Sequence, residues 1–237
     1  VASNYLRWIS NAPFDVGNAT RMAMDCRLQG HTPVHMQMAA NARAHNIDSK
    51  ANGALMRSSP LGIWTVRLDD HDAVNAALMD AALTHPNATC QWANAAYVCA
   101  IRHLLISPGD APGSFQAALR ALMQDADSTA GSAEVRAWLE DAQNGRLPTF
   151  HPMAGYVRIG FTHAFFHLLA ENTFEESLRA TLAGGAPPHG SSATPAQPLV
   201  PATPQAQVAP QPLQTLPAAQ AAAAASRVSR KSGEASS

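Results

Sequence analysis

Apolar residues recur every three or four positions along most of the first 185 residues. No stretch alternates with period two, so the pattern predicts helices and no sheet. The 70–83 stretch opens with acidic side chains, which suit a helix N-terminus, and repeats apolar positions at Val74, Ala77, Leu78 and Ala81. Pro86 and Asn87 stop this helix and start the next, over 88–106, where Trp92, Ala95, Ala96, Cys99 and His103 share a stripe. Gly113 and Ser114 start a further helix through Phe115, Leu119 and Met123. Val135, Trp138 and Leu139 mark an inward face over 132–142. The 156–170 stretch is apolar nearly all round, which predicts a buried central helix. Asn172 and Thr173 cap a helix over 174–182, with Glu175 and Glu176 in its first turn. A shorter helix is predicted over 21–28. The fold class is all-α, a multi-helix orthogonal bundle of roughly eight to ten helices.

Composition divides the chain near Gly185. Residues 186–237 hold 14 Ala, 9 Pro and 6 Gln and no aromatic residue, too little apolar bulk to offset the entropy of ordering. They are expected to form a disordered tail, in which residues 218–225 form at most a transient helix and residues 227–232 a small basic patch. The 237 residues carry a formal net charge of −1, which argues against non-specific nucleic-acid binding. No run of about 18 apolar residues is present, so no membrane span is expected. Three cysteines without CxxC spacing exclude a cysteine zinc site and fit a reducing compartment, and a cytoplasmic location is expected.

Three stretches do not read as plain helical packing. In Phe14-Asp15-Val16-Gly17-Asn18-Ala19-Thr20 an acid, a glycine and an amide precede an apolar helix. Asn18 or Thr20 caps that helix, or Asp15 and Asn18 meet a ligand at its N-terminus. Asn52-Gly53-Ala54-Leu55-Met56-Arg57 places small residues where a starting helix would leave amide groups uncovered for a phosphate, with Arg57 one turn inside. The other reading is a loop leading into a tightly packed small-residue helix. Leu83-Thr84-His85-Pro86-Asn87 puts an imidazole where a helix ends, as a cap, a dipole partner or a ligand contact. His163 and His167 have the i, i+4 spacing of metal ligands, on a strongly apolar helix without the glutamate of H-E-x-x-H. His31 and His35 read as helix-start residues, and Asp125 and Asp127 as solvated.

In this order the three stretches resemble the ADP-ribosylglycohydrolase family, including the dinitrogenase reductase-activating glycohydrolases. The first is similar to their F-D-[IV]-G-N-T-T, the second to N-G-[AGS]-[LAM]-M-R, and Leu83-Thr84-His85 to L-T-H. Gly155-Tyr156-Val157, Ala164-Phe165 and Phe174-Glu175-Glu176-Ser177-Leu178 resemble the approach to the family's C-terminal metal motif. The resemblance covers roughly residues 3–185. It implies an all-α fold, two Mg²⁺ (or Mn²⁺) ions, and hydrolysis of the glycosidic bond joining ADP-ribose to an arginine or serine side chain. ADP-ribose or an ADP-ribosylated protein is the implied partner. Asn52, Gly53, Ala54, Met56 and Arg57 match the pyrophosphate position, Asn18 and His85 the ribose. Asp15 matches a carboxylate near the anomeric carbon.

The resemblance breaks at the metal motifs. The family's Thr-Asp-Asp run lies upstream of the Phe-Asp stretch, and only fourteen residues precede Asp15 here. Its Gly-Gly-Asp-x-Asp-Thr motif is replaced by Gly184-Gly185-Ala186-Pro187-Pro188. Two Mg²⁺ ions require several oxygen ligands, so no metal site and no hydrolysis are expected of this chain alone. The expectation is a domain truncated at both ends, in a GC-rich gene shifted in frame near codon 185. The 14 Arg against 2 Lys fit such a gene, and translating the other frames checks it. Missing helices should leave apolar faces exposed, part of the 156–170 helix included, on a loosely packed and aggregation-prone product. A metal-free ADP-ribose binder and an unrelated helical scaffold are the alternatives.

Overall fold

The long helix α6 (Ala88–Ile106) is the axis of the fold. Its alanines explain why: Ala93, Ala95, Ala96 and Ala100 are buried and present little bulk, so helices approach it from several sides. The structure is a computed structural model and describes residues 1–26, 32–125 and 129–185. Around α6 pack α4 (Ser59–Trp64), α5 (Asp70–Ala82), α7 (Ala111–Leu122), α8 (Ala130–Gln143) and α9 (Val157–Leu169). A separate layer of α1 (Ala2–Ser10), α2 (Asn18–Met24) and α3 (Val34–His45) closes over Met24 and Met38. The last helix, α10 (Phe174–Gly185), follows α9. Among the described residues there are ten α-helices, no strand and one isolated antiparallel bridge, Ala51 to Tyr156. The fold is all-α, and no described helix is long and apolar enough to cross a membrane.

The larger core joins Cys90, Ala93 and Ala96 of α6 to Phe115, Trp138, Phe161 and Phe165. Phe161 and Phe165 lie with ring centroids 4.7 Å apart, and Trp138 meets Phe161 edge-on at 6.0 Å. A second core sets Val74 and Ala77 of α5 against Val98 and Cys99. Gly131 lets α8 reach the start of α6: a Cβ there would lie 2.8 Å from that of Ala88. The three cysteines are free.

Helix ends follow side-chain chemistry. Asn87 accepts the Thr89 amide at 3.0 Å and starts α6. Thr173 and Glu176 form a reciprocal capping box at α10, the Thr173 amide bonding Glu176 at 2.8 Å. Several expectations are corrected. The seventh helix starts at Ala111 rather than at Gly113, because Asp110 caps it by accepting the Gly113 amide. Asp125 is not free in solvent: its carboxylate accepts the amide and hydroxyl of Thr129 at 2.8 and 2.6 Å ahead of α8. The 156–170 helix does not expose its apolar face, and its phenylalanines are buried or half-buried. His35 sits in the first turn of α3. His31, Asp127, residue 28, and the tail with its 218–225 and 227–232 segments lie outside the described residues.

Candidate functional site

A cleft of about 640 Å³ gathers side chains from all three singled-out stretches. Asp15, Gly17 and Asn18 come from the turn before α2 and its first residue, and Asn52, Gly53, Met56 and Arg57 from the loop ahead of α4. His85 comes from the turn after α5, while Tyr5 and Trp8 of α1 and Gly155 before α9 complete the wall. Ala54 does not line it; it is buried beneath, 1% exposed. Met56 stands at the surface, 76% exposed.

The loop from 50 to 57 is not the start of a long helix. It makes a single 3-10 turn, Leu55–Arg57, before the six-residue α4. Its entry is held by a short antiparallel pairing: the Asn52 amide donates to the Gly155 carbonyl and the Val157 amide to that of Lys50, each at 2.9 Å. Lys50 itself ion-pairs with Glu134 at 2.6 Å. The amides of Met56 and Arg57 bond within the turn. Those of Gly53 and Ala54 have no partner among the described residues. Gly53 has no room for a side chain: a Cβ would lie 2.9 Å from Cε1 of His85 and 3.0 Å from Oγ1 of Thr20.

The helix after Phe14–Thr20 begins at Asn18 rather than at 21, with Gly17 as its N-cap and no side-chain cap. Asn18 therefore does not cap; it is exposed at the cleft, and Thr20 is buried in the first turn. Neither Asn18 nor Asn52 bonds its side-chain amide to another described residue. Asn46 joins two of the stretches, its Nδ2 donating to the carbonyls of Ala19 at 2.7 Å and Thr84 at 3.0 Å.

Arg57 is the expectation the geometry changes most. Its guanidinium does not reach into the cleft as a free cation. Nε donates to Asp80 Oδ2 at 3.3 Å, one terminal nitrogen to the Asp80 carbonyl at 2.8 Å, and the other to Thr84 Oγ1 at 2.7 Å. It lies 4.9 Å from the Tyr5 ring centre. Tyr5 in turn donates its hydroxyl to Asp80 at 2.8 Å. Burial, reinforced by the Asp80 charge, pushes the Tyr5 phenol up to about 12. His85 is 1% exposed, with Nδ1 against Thr84 Oγ1 at 2.8 Å. Burial, and then the charge of Arg57, lowers its pKa to about 4, so the ring is neutral near pH 7.

Sequence reasoning missed Tyr5, Trp8, Asn46, Asp80 and Thr84. One signal was readable: Asp80 falls three residues after Ala77 on the apolar stripe of α5, where a charge demands a partner.

The site does not suit a pair of divalent ions. Among the described residues that line the cleft, Asp15 is the one carboxylate. Among the described residues, one grouping of acids and imidazole has metal-like spacing, Asp69, His71 and Asp72. It is exposed at the start of α5, and Asp69 already caps that helix through the Asp72 amide. His163 and His167 are no metal pair either. His163 bonds the Pro148 carbonyl at 3.0 Å, and His167 the Asn172 amide at 2.9 Å.

Fold and cleft together define an all-helical protein with a half-enclosed, largely apolar cleft that carries a few polar groups and is built on three loop–helix junctions. The family model for ADP-ribosylglycohydrolase matches residues 1–187, and the chain belongs to that family. No curated protein and no solved structure gives a match.

Proposed function

We propose that the cleft binds the ADP-ribose portion of an ADP-ribosylated protein, and that the residues present here support recognition rather than hydrolysis. One observation carries this reading: Asp15, Asn18, Asn52, Gly53 and His85, from three separate stretches of the sequence, share a single cleft in which Asp15 is the one carboxylate among the described residues. A volume of about 640 Å³ is in the range of pockets for small molecules of nucleotide size. The free amide of Gly53, which lines the cleft, suits a phosphate oxygen. The unpaired side chains of Asn18 and Asn52 supply donors and acceptors for ribose hydroxyls. Tyr5 and Trp8 offer flat apolar surface beside them.

Cleavage of a glycosidic bond to an arginine side chain builds positive charge at the anomeric carbon, which Asp15 would favour. It also needs an activated water. In the family that water belongs to divalent-metal chemistry, for which hard oxygen ligands are required. The described residues of the cleft supply too few, so we assign them binding without turnover.

Calorimetric titration with ADP-ribose, with and without Mg²⁺, tests both parts. Metal-independent binding, and no release of ADP-ribose from an ADP-ribosylated arginine substrate, is the expected result. Absence of binding under both conditions removes the cleft reading. Stoichiometric Mg²⁺ uptake with release of ADP-ribose removes the inactivity.

A further inference from the structure

We infer that Arg57 and Thr84 are positioning residues that lock His85 as the Nε2–H tautomer, so that the imidazole presents a hydrogen-bond donor to the cleft. The inference assigns a role to residues in the proposed ADP-ribose site and rests on that reading for its ligand.

The chain of donors is fixed at one end. A guanidinium has only N–H groups and cannot accept. The Arg57 contact to Thr84 Oγ1 at 2.7 Å therefore has Arg57 donating. Thr84 is fully buried, and its hydroxyl still has one proton to place. Among the described residues its one further partner is His85 Nδ1, at 2.8 Å. If Thr84 donates, Nδ1 is the acceptor, and the single proton of the neutral ring sits on Nε2. The reverse tautomer would have both Arg57 and His85 donating to Oγ1, and would leave the hydroxyl proton buried without an acceptor, which native interiors avoid.

Arg57 cannot turn away to relieve this. Asp80 holds it through both Oδ2 and the main-chain carbonyl, and the Tyr5 ring lies against it. The other face of the imidazole is equally constrained, since Nε2 lies 3.2 Å from where a Gly53 Cβ would be. Nε2 has no partner among the described residues and is the ring nitrogen left to serve the cleft. The depressed basicity of His85 agrees, because a neutral ring must choose one nitrogen for its proton. An N–H donor without charge suits a ribose or phosphate oxygen.

The test is a long-range proton–nitrogen correlation spectrum of the full chain labelled at histidine nitrogen, without ligand, at pH 7. The expected His85 pattern has a protonated Nε2 and an unprotonated Nδ1. Thr84→Val should give mixed tautomers, and Thr84→Ser should restore the single form. An Nδ1–H ring, a mixture, or an imidazolium in the unaltered protein overturns the lock, and that measurement needs no variant to fold. Titration with ADP-ribose adds the functional arm. Thr84→Val should weaken binding about tenfold or more, and Thr84→Ser by less than about threefold. If the tautomer is as expected and ADP-ribose does not bind, the lock stands and the cleft reading fails. If ADP-ribose binds to a protein whose ring carries Nδ1–H, the reading stands and the lock fails.

Discussion

Gly53 and His85 are packed so closely that a single methyl group on the glycine would sit 2.9 Å from Cε1 of the imidazole. The ring cannot retreat, because Nδ1 is bonded to Thr84 and Thr84 to Arg57. Gly53→Ala should therefore displace the loop or the ring. We expect a loss of about 1–3 kcal/mol in stability and weaker ADP-ribose binding. Gly160, on α9, is the matched control. A Cβ there meets nothing nearer than Leu55 at 4.0 Å, so Gly160→Ala should be neutral or stabilise by up to about 1 kcal/mol. Thermal unfolding of both variants decides; equal effects would show that the Gly53 contact is soft.

Asp80 and Arg57 form the most enclosed ion pair of the site, with side-chain exposures of 9% and 17%. Removing the acid leaves a guanidinium with little access to water and takes the acceptor from Tyr5. Asp80→Ala should destabilise by about 3–5 kcal/mol. Asp70 also pairs with an arginine, Arg102, at 2.6 Å, but is 61% exposed. Arg102 keeps the carbonyls of Thr65 and Leu68, so Asp70→Ala should change stability by less than about 1 kcal/mol. Urea denaturation curves of the two variants should separate clearly. Coincident midpoints would mean that Arg57 finds solvent when Asp80 is gone.

The helices from α5 onward were legible because each carries an apolar stripe, and α5, α6 and α10 also a capping residue. Asn87 and Thr173 announce α6 and α10 from the sequence, and both make the caps expected of them. Helix α4 was not legible. It has six residues, and the close approach of Gly62 to Ile101 that seats it depends on a partner almost forty positions away. The site was legible as three separate stretches, because the turn residues Gly17 and Gly53 and the lone His85 stand out against helical periodicity. Their convergence was implied by the family resemblance alone and not by the helical pattern. It depends on Asn46 bridging Ala19 to Thr84, and on Asp80 clamping Tyr5 and Arg57, contacts between residues 23 to 75 positions apart. Arg57 shows the limit most plainly. Next to a glycine-containing loop it reads as a phosphate ligand, yet Asp80, a buried acid on the second α-helix after it, binds it first.

Helix α10 presents Phe174, Leu178 and Leu182 at i, i+4 and i+8, and they are 82%, 45% and 65% exposed. Such a stripe on an amphipathic helix favours association over folding. Leu182→Glu should leave stability within about 0.5 kcal/mol while reducing self-association in sedimentation runs. A destabilisation of several kcal/mol would instead show that the stripe is covered when the chain folds.

His85 gives the pH dependence a definite sign. Its pKa is lowered to about 4 in the folded protein, against an ordinary value near 6.5. Above about 6.5 the ring is neutral in both folded and unfolded chains and contributes no slope. Between 6.5 and 4 the unfolded chain takes up a proton that the folded one refuses, so stability falls as the pH is lowered. Below about 4 both forms are protonated, and the term is constant. The full loss is on the order of 3 kcal/mol. The Tyr5 phenol, raised to about 12, stays protonated across this window. His167 is lowered too, by burial and then by His163, and adds a slope of the same sign. The difference between the unaltered protein and His85→Gln therefore isolates the term. Denaturation midpoints from pH 7 to pH 4 should fall more steeply for the unaltered protein, by about one proton's worth of slope. Parallel curves would mean that His85 ionises in the folded state as readily as it does in water.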